Sequence, residues 1–274
     1  MSPDIKAKFC PLLTTPHNLF FLYLLLIIYM VYGTGVVSDD FAWMARLQSR
    51  GDFLDILIPI KAFANTPIQY YSHVIFYFFA DLDHLLWIDL TKIVYVLLVF
   101  CMTTQFFSIF LEKLSAMMVA FLFTFFPSHD STTYWYLGQY LDLSTALYLY
   151  AYYQAHKGRF VLAVILAVLA SLHSYGSPPV AFALFILFVL KHDYKKGLVL
   201  WVPNVLYCIY FLIIERVGET PPRFPDTFSM TRLIKQFILQ VGTFIDAAMG
   251  PSFFLKLYYS IEEISSVGMV VTVL

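Results

Sequence analysis

The chain has 274 residues, 60% of them hydrophobic and 13% charged, with a formal net charge of −1. Soluble domains carry roughly 25% charged residues, so this composition excludes an ordinary water-soluble core, and the neutral balance leaves no footprint for nucleic acid. Cys10, Cys101 and Cys208 form no close-spaced motif, which argues against a disulfide framework or a zinc site.

Residues 19–37 form the first charge-free stretch, close to the roughly 20 residues that a helix needs to cross a bilayer. No small-residue cleavage site clearly follows, so the stretch reads as a span and not as a signal peptide. Residues 38–67 carry Asp39, Asp40, Arg46, Arg50, Asp52, Asp55 and Lys61 and read as a polar excursion with short amphipathic helices. Residues 68–80 are apolar but too short to cross, which predicts an interfacial or re-entrant helix that ends at Asp81, Asp83 and His84. Stretches 93–111 and 114–126 are predicted to cross and return through the Glu112–Lys113 turn. Stretch 134–153 crosses again, with Asp142 inside it. Residues 160–190 lack Asp, Glu, Lys and Arg and are broken by Gly176, Ser177, Pro178 and Pro179, as in a helical hairpin. Stretch 198–214 completes an expected count of seven spans, and residues 227–250 read as an amphipathic surface helix.

These elements predict an all-α, polytopic transmembrane bundle. Residues 1–18 would be cytoplasmic, and residues 19–215 would form the seven-helix core, with the first outer loop at 38–88. Residues 216–274 would supply an outer loop, the amphipathic helix and the start of a further span. A cytoplasmic N-terminus puts Lys113, Lys157, Arg159, Lys191, Lys195 and Lys196 on the inner side and the acidic loops outside, in line with the positive-inside bias. The expected location is a membrane, on this reading the bacterial inner membrane, with lipids as immediate partners. No tandem repeat supports an inverted-repeat transporter.

Chemistry is expected at the outer side. Asp39 and Asp40 follow the first span, where a carboxylate can act as a general base or help to bind a divalent cation. Ser38-Asp39-Asp40 ahead of Phe41-Ala42-Trp43-Met44 equally suits a helix start. Asp142, with Tyr134, Trp135, Gln139 and Tyr140, could line a polar pocket or make an interhelical hydrogen bond. His129 and Asp130 suit an acid/base or phosphate-contacting pair, and Arg46 a phosphate contact. The polar turn with His173 and Tyr175 could line the same cavity. The set His73, Asp81, Asp83 and His84 fits no metal template. No P-loop, dinucleotide motif or Ser/His/Asp signature is present.

The order of these features resembles the GT-C class of membrane glycosyltransferases, the polyprenyl-phosphate-sugar-dependent group that includes protein O-mannosyltransferases. The resemblance covers most of residues 18–215 and rests on four segments. They are Ser38-Asp39-Asp40, Thr66-Pro67-Ile68-Gln69-Tyr70, Phe126-Pro127-Ser128-His129-Asp130 with Tyr134-Trp135 and Gly138, and the Ser174-Tyr175-Gly176 turn. It implies a module of seven membrane helices, Asp39 or Asp40 as catalytic base, and His129, Asp130 and the following aromatics near a lipid-phosphate donor. The chain departs from the family pattern in three ways. No acid follows Ser174, Asp142 lies one residue from the expected acid after Gly138, and the chain ends after the core, where typical members continue into an acceptor-binding region. The expected function is transfer of a sugar from a polyprenyl-phosphate carrier to an extracytoplasmic acceptor. The alternatives are a catalytically silent subunit of a larger membrane protein complex, or a transporter.

Overall fold

The computed structural model describes residues 15–36, 40–41, 45, 66–79, 85–124, 135–174 and 176–217, and scattered positions between 229 and 242. The chain divides into two compact units, residues 1–125 with 129–223, and residues 126–128 with 224–274. Among the described residues of the second, helical positions recur between 230 and 242, and Met230, Ile234, Phe237, Ile238 and Leu239 are exposed.

The described regular structure of the first unit is entirely helical. In chain order it comprises α1 (Pro16–Val31), a 3-10 turn (Pro67–Gln69), α2 (Tyr70–Phe79), α3 (Leu86–Phe107), α4 (Lys113–Thr124), a second 3-10 turn (Tyr136–Gly138), α5 (Tyr140–His156), α6 (Phe160–His173), α7 (Ser177–Leu190) and α8 (Tyr194–Val217). Two helices, Leu86–Phe107 and Tyr194–Ile214, are long and apolar enough to cross a membrane; α1, α4, α6 and α7 are apolar but shorter.

Local chemistry sets most of these limits. Thr15 caps α1, its hydroxyl accepting from Asn18 N at 3.3 Å, and Pro16 sits in the first turn, where no amide hydrogen is needed. The helix ends at Val31, short of the expected residue 37. Gly33 and Gly35 follow with φ of 81° and 56°, a left-handed backbone that glycine adopts without steric cost. The predicted hairpin at 160–190 is two helices, α6 and α7, with Pro178 and Pro179 at the start of the second. The predicted non-crossing helix is α2, ten residues long.

Two starts differ from the sequence reading by about six residues or more. α3 begins at Leu86 rather than 93, and so draws Asp89 and Lys92 into the helix. α5 begins at Tyr140 rather than 134, so Asp142 lies in its first turn and not deep inside a span. There a carboxylate faces the positive end of the helix dipole. Just ahead of this start the Trp135 ring lies so close over Gly138 that a Cβ there would sit 2.6 Å from Trp135 Cε3.

The core is built from small and aromatic residues. Ala163, Ala167 and Ala170 of α6 are fully buried and let its backbone approach Tyr148, Ala151 and Ala155 of α5. Tyr23 of α1 stacks on Phe100 of α3, with ring centroids 3.9 Å apart, and its hydroxyl reaches Val96 O and Thr124 Oγ1. The faces turned away from the core are also apolar. They carry Phe21 and Tyr29 on α1, Val161 and Ile165 on α6, and Leu206 and Ile213 on α8.

The helix ends are of two kinds. At one end the turns carry Lys113, Lys157, Arg159 and Lys191, and Lys191 Nζ lies 4.9 Å from the Phe110 ring centroid and 5.7 Å from that of Tyr152. The opposite end gathers the Gly33–Gly35 turn, the starts of α3 and α5 and the end of α6 around buried polar groups.

Candidate functional site

The polar end is organised by an ion pair that the sequence reading did not single out. Asp89 and Lys92, one helical turn apart on α3, have side chains 4% and 0% exposed, with Lys92 Nζ 3.3 Å from Asp89 Oδ1. Asp89 accepts from the backbone amides of Gly33 and Gly35 at 2.8 and 2.9 Å. Lys92 donates to Thr34 Oγ1 at 2.9 Å and to the carbonyl of Gly35. An ammonium has three protons to donate, and all three are used. A buried charge without partners would cost several kcal/mol. The pair is therefore tolerated because the glycine turn supplies amides and a carbonyl in the right places. In return it clasps the chain four residues ahead of Asp39.

Asp40 is fully buried, and its Oδ2 accepts from the backbone amide of Tyr136 at 3.2 Å. It also lies within electrostatic reach of Lys92. Its carboxylate thus ties the segment after α1 to the 3-10 turn ahead of α5. The Tyr136 hydroxyl in turn donates to Ser72 O in α2 at 2.8 Å.

His173 closes the far side. Its Nδ1 lies 3.0 Å from the carbonyl of Tyr140 and its Nε2 lies 2.9 Å from the Tyr71 hydroxyl. A carbonyl only accepts, so in a neutral imidazole Nδ1 carries the proton and Tyr71 donates to Nε2. Burial pushes the Tyr71 phenol up from its ordinary value, which keeps it a donor. Both ring nitrogens of His173 are thus engaged in joining α2, α5 and α6. The rings of Tyr71, Tyr95 and Tyr136 continue the network, with centroids 6.3 and 6.2 Å apart in sequence. Below them Ser144 Oγ donates to Ala170 O, and the Tyr148 and Ser171 hydroxyls share a hydrogen bond, each at 2.8 Å.

Of the predicted site residues, the structure brings Asp40, Trp135, Gln139 and His173 to this end, and it places Asp142 in the first turn of α5, also at this end. Gln139 is buried at the α5 start, and Trp135 Nε1 is buried with no hydrogen-bond partner among the described residues. Asp39, Arg46, His129, Asp130, Tyr134 and Tyr175 lie outside the described residues. Asp81, Asp83 and His84 also lie outside them. Among the described residues, no group of three or more His, Cys, Asp or Glu is placed to hold a metal ion.

Asp89 and Lys92 were missed because the span was set at its longest charge-free run. The signal was present as opposite charges at i and i+3 beside an apolar stretch, a pair whose charges neutralise each other within one turn. Tyr71 and Tyr136 gave no signal, because one Tyr among many is indistinguishable until the chain is folded. No family model, curated protein or solved structure matches the chain.

Proposed function

We propose that the chain is a multi-pass membrane protein of GT-C type, which moves a sugar from a polyprenyl-phosphate carrier to an acceptor hydroxyl on the extracytoplasmic face. In this reading α1 and α3–α8 are the seven spans. The shorter helices are completed by flanking Lys and Arg side chains that snorkel to the surface. Apolar faces on both sides of the helices support lipid as the surrounding solvent.

The observation that carries the reading is the clasp of Asp89 and Lys92 on the Gly33–Gly35 turn, with Asp40 bonded to Tyr136. It anchors Asp40 at the polar end of the bundle, opposite the basic turns. Asp40 is committed to this anchor, and Asp39, its neighbour, takes the role of general base. A proton passes from the acceptor hydroxyl to the carboxylate, and the acceptor oxygen bonds to the anomeric carbon. The bond from that carbon to the phosphate oxygen breaks, and its electron pair leaves with the polyprenyl phosphate. Arg46, His129, Asp130, Tyr134, Trp135, Gln139 and Tyr175 are assigned to the donor side.

The test is a transfer assay in membranes that contain the protein, with a radiolabelled polyprenyl-phosphate sugar as donor. Asp39→Asn is expected to lower transfer by about 100-fold or more, the usual scale for loss of a positioned base. Full activity in Asp39→Asn and Asp40→Asn alike would end the mechanism. The burial of Asp40 favours a second reading, a catalytically silent subunit that docks in a larger membrane complex through its apolar outer faces. Stable co-purification with such a complex, together with no transfer by the wild type, is the outcome that reading predicts.

A further inference from the structure

The amphipathic stretch read from the sequence at residues 227–250 has no part in the proposed transfer reaction. Among the described residues of the second unit, Met230, Ile234, Phe237, Ile238 and Val241 are helical. At about 100° per residue, their spacing gathers them within about a third of the helix circumference. Each of the five is between 43% and 69% exposed. Lys235 lies on the flank of this stripe and Leu239 on the opposite side. A single exposed Leu is ordinary, but a continuous stripe of five large apolar side chains marks a docking face.

Charge and chain continuity identify what meets the stripe. Arg232 and Lys235 are the only charged residues between positions 227 and 245, and both are positive. An apolar side with cations on the rest is the pattern of a helix that lies in a bilayer surface, its cations at the lipid phosphates. Such a helix does not cross: positions 230–242 rise only about 20 Å as an α-helix, against about 30 Å of hydrocarbon core. A helix immersed in lipid is also apolar all round, whereas this one carries Lys235 near its middle. The chain arrives from α8, whose residues Leu206, Ile209 and Ile213 are apolar and exposed as well. In the membrane reading lipid covers that face of α8, so the chain enters the amphipathic helix from the bilayer surface.

We propose that residues 230–242 form an interfacial anchor that docks on the phospholipid surface of the leaflet at which α8 ends. The stripe of Met230, Ile234, Phe237, Ile238 and Val241 sits among the upper acyl chains, and the Lys235 ammonium reaches the phosphate layer. The proposal rests on the membrane reading above. It adds to that reading a segment that lies along the membrane instead of crossing it.

The experiment is spin labelling of the full chain in vesicles with equal phosphatidylglycerol and phosphatidylcholine. Single cysteines are placed one at a time in a background without Cys10, Cys101 and Cys208. The accessibility of each nitroxide to oxygen, which concentrates in lipid, is compared with its accessibility to a water-soluble nickel chelate. Ile234→Cys and Phe237→Cys are expected to favour oxygen and to report a depth of about 5–10 Å below the headgroups. Lys235→Cys and Leu239→Cys are expected to favour the nickel chelate. Four labels that all favour nickel overturn the proposal, because the stripe then faces water. Stripe labels shielded from both reagents overturn it too, because protein then covers the stripe, from a second copy or from elsewhere in the chain. Four labels that all favour oxygen also overturn it, because the helix is then immersed and not interfacial. Alkaline carbonate extraction reports on the membrane reading separately: release of the protein defeats that reading and this proposal with it, whereas a membrane-retained protein with stripe labels in water defeats only this proposal.

Discussion

Lys92 shows how one residue can decide local structure. Its ammonium is completely enclosed, and what holds it is not Asp89 alone but Thr34 and the Gly35 carbonyl as well. Removing one member of such a set leaves the other charge buried and uncompensated, which costs about 3–5 kcal/mol, whereas replacing the pair by apolar groups of similar size is close to neutral. Lys92→Met is therefore expected to destabilise the protein by about 3–5 kcal/mol. Asp89→Leu combined with Lys92→Met should recover only part of that loss, because the Gly33 and Gly35 amides then lose their acceptor. Thermal unfolding of the purified single and double variants measures both. A double variant no more stable than Lys92→Met would mean that the pair is not a self-contained unit. The sequence made Asp39 and Asp40 visible because two adjacent carboxylates after an apolar run are conspicuous. It hid Lys92 because a charge and its partner one turn away look like the edge of a loop.

Among the elements, α2 depends most on a few polar contacts. It is ten residues long, and its described polar ties run through the Thr66–Gln69 turn, the Tyr136 hydroxyl on Ser72 O, and Tyr71 on His173. A single buried hydrogen bond contributes about 0.5–1.5 kcal/mol, and its loss also leaves the His173 nitrogen unsatisfied. Tyr71→Phe should raise the amide exchange of residues 70–79 and leave α6 protected, as read by hydrogen exchange. Unchanged exchange in 70–79 would show that apolar packing alone seats α2. The break between α6 and α7 was legible from Gly176, Pro178 and Pro179, because proline and glycine act on the backbone locally. The start of α5 was not legible. It is preceded by a 3-10 turn in which Trp135 folds over Gly138, a contact between side chain and backbone that no periodicity reveals. His173 was marked as a cavity residue from its polar turn, but its partners Tyr71 and Tyr140 lie far away in sequence.

At the scale of the first unit, the contrast between its two ends is the organising fact, basic turns at one and buried polar groups at the other. Lys191 over Phe110 and Tyr152 joins the α7–α8 turn to the α3–α4 turn and to α5, while Asp40, Asp89 and Lys92 are gathered near the opposite ends of these helices. In the proposed membrane reading, the positive-inside bias assigns a side to each end. That assignment supports the proposed transferase, because an extracytoplasmic acceptor can meet only groups on that side. The apolar runs made the helical character and the polar loops legible in the sequence. The convergence of helix ends was not, because it arises from pairings between residues far apart in the chain.

The most direct measurement is labelling of single cysteines in intact cells with a membrane-impermeant maleimide, in a background without Cys10, Cys101 and Cys208. Ser38→Cys is predicted to react from outside, and Glu112→Cys, Lys157→Cys and Lys195→Cys only after the membrane is opened. Labelling of the basic turns from outside, or of all four positions alike, would contradict the account.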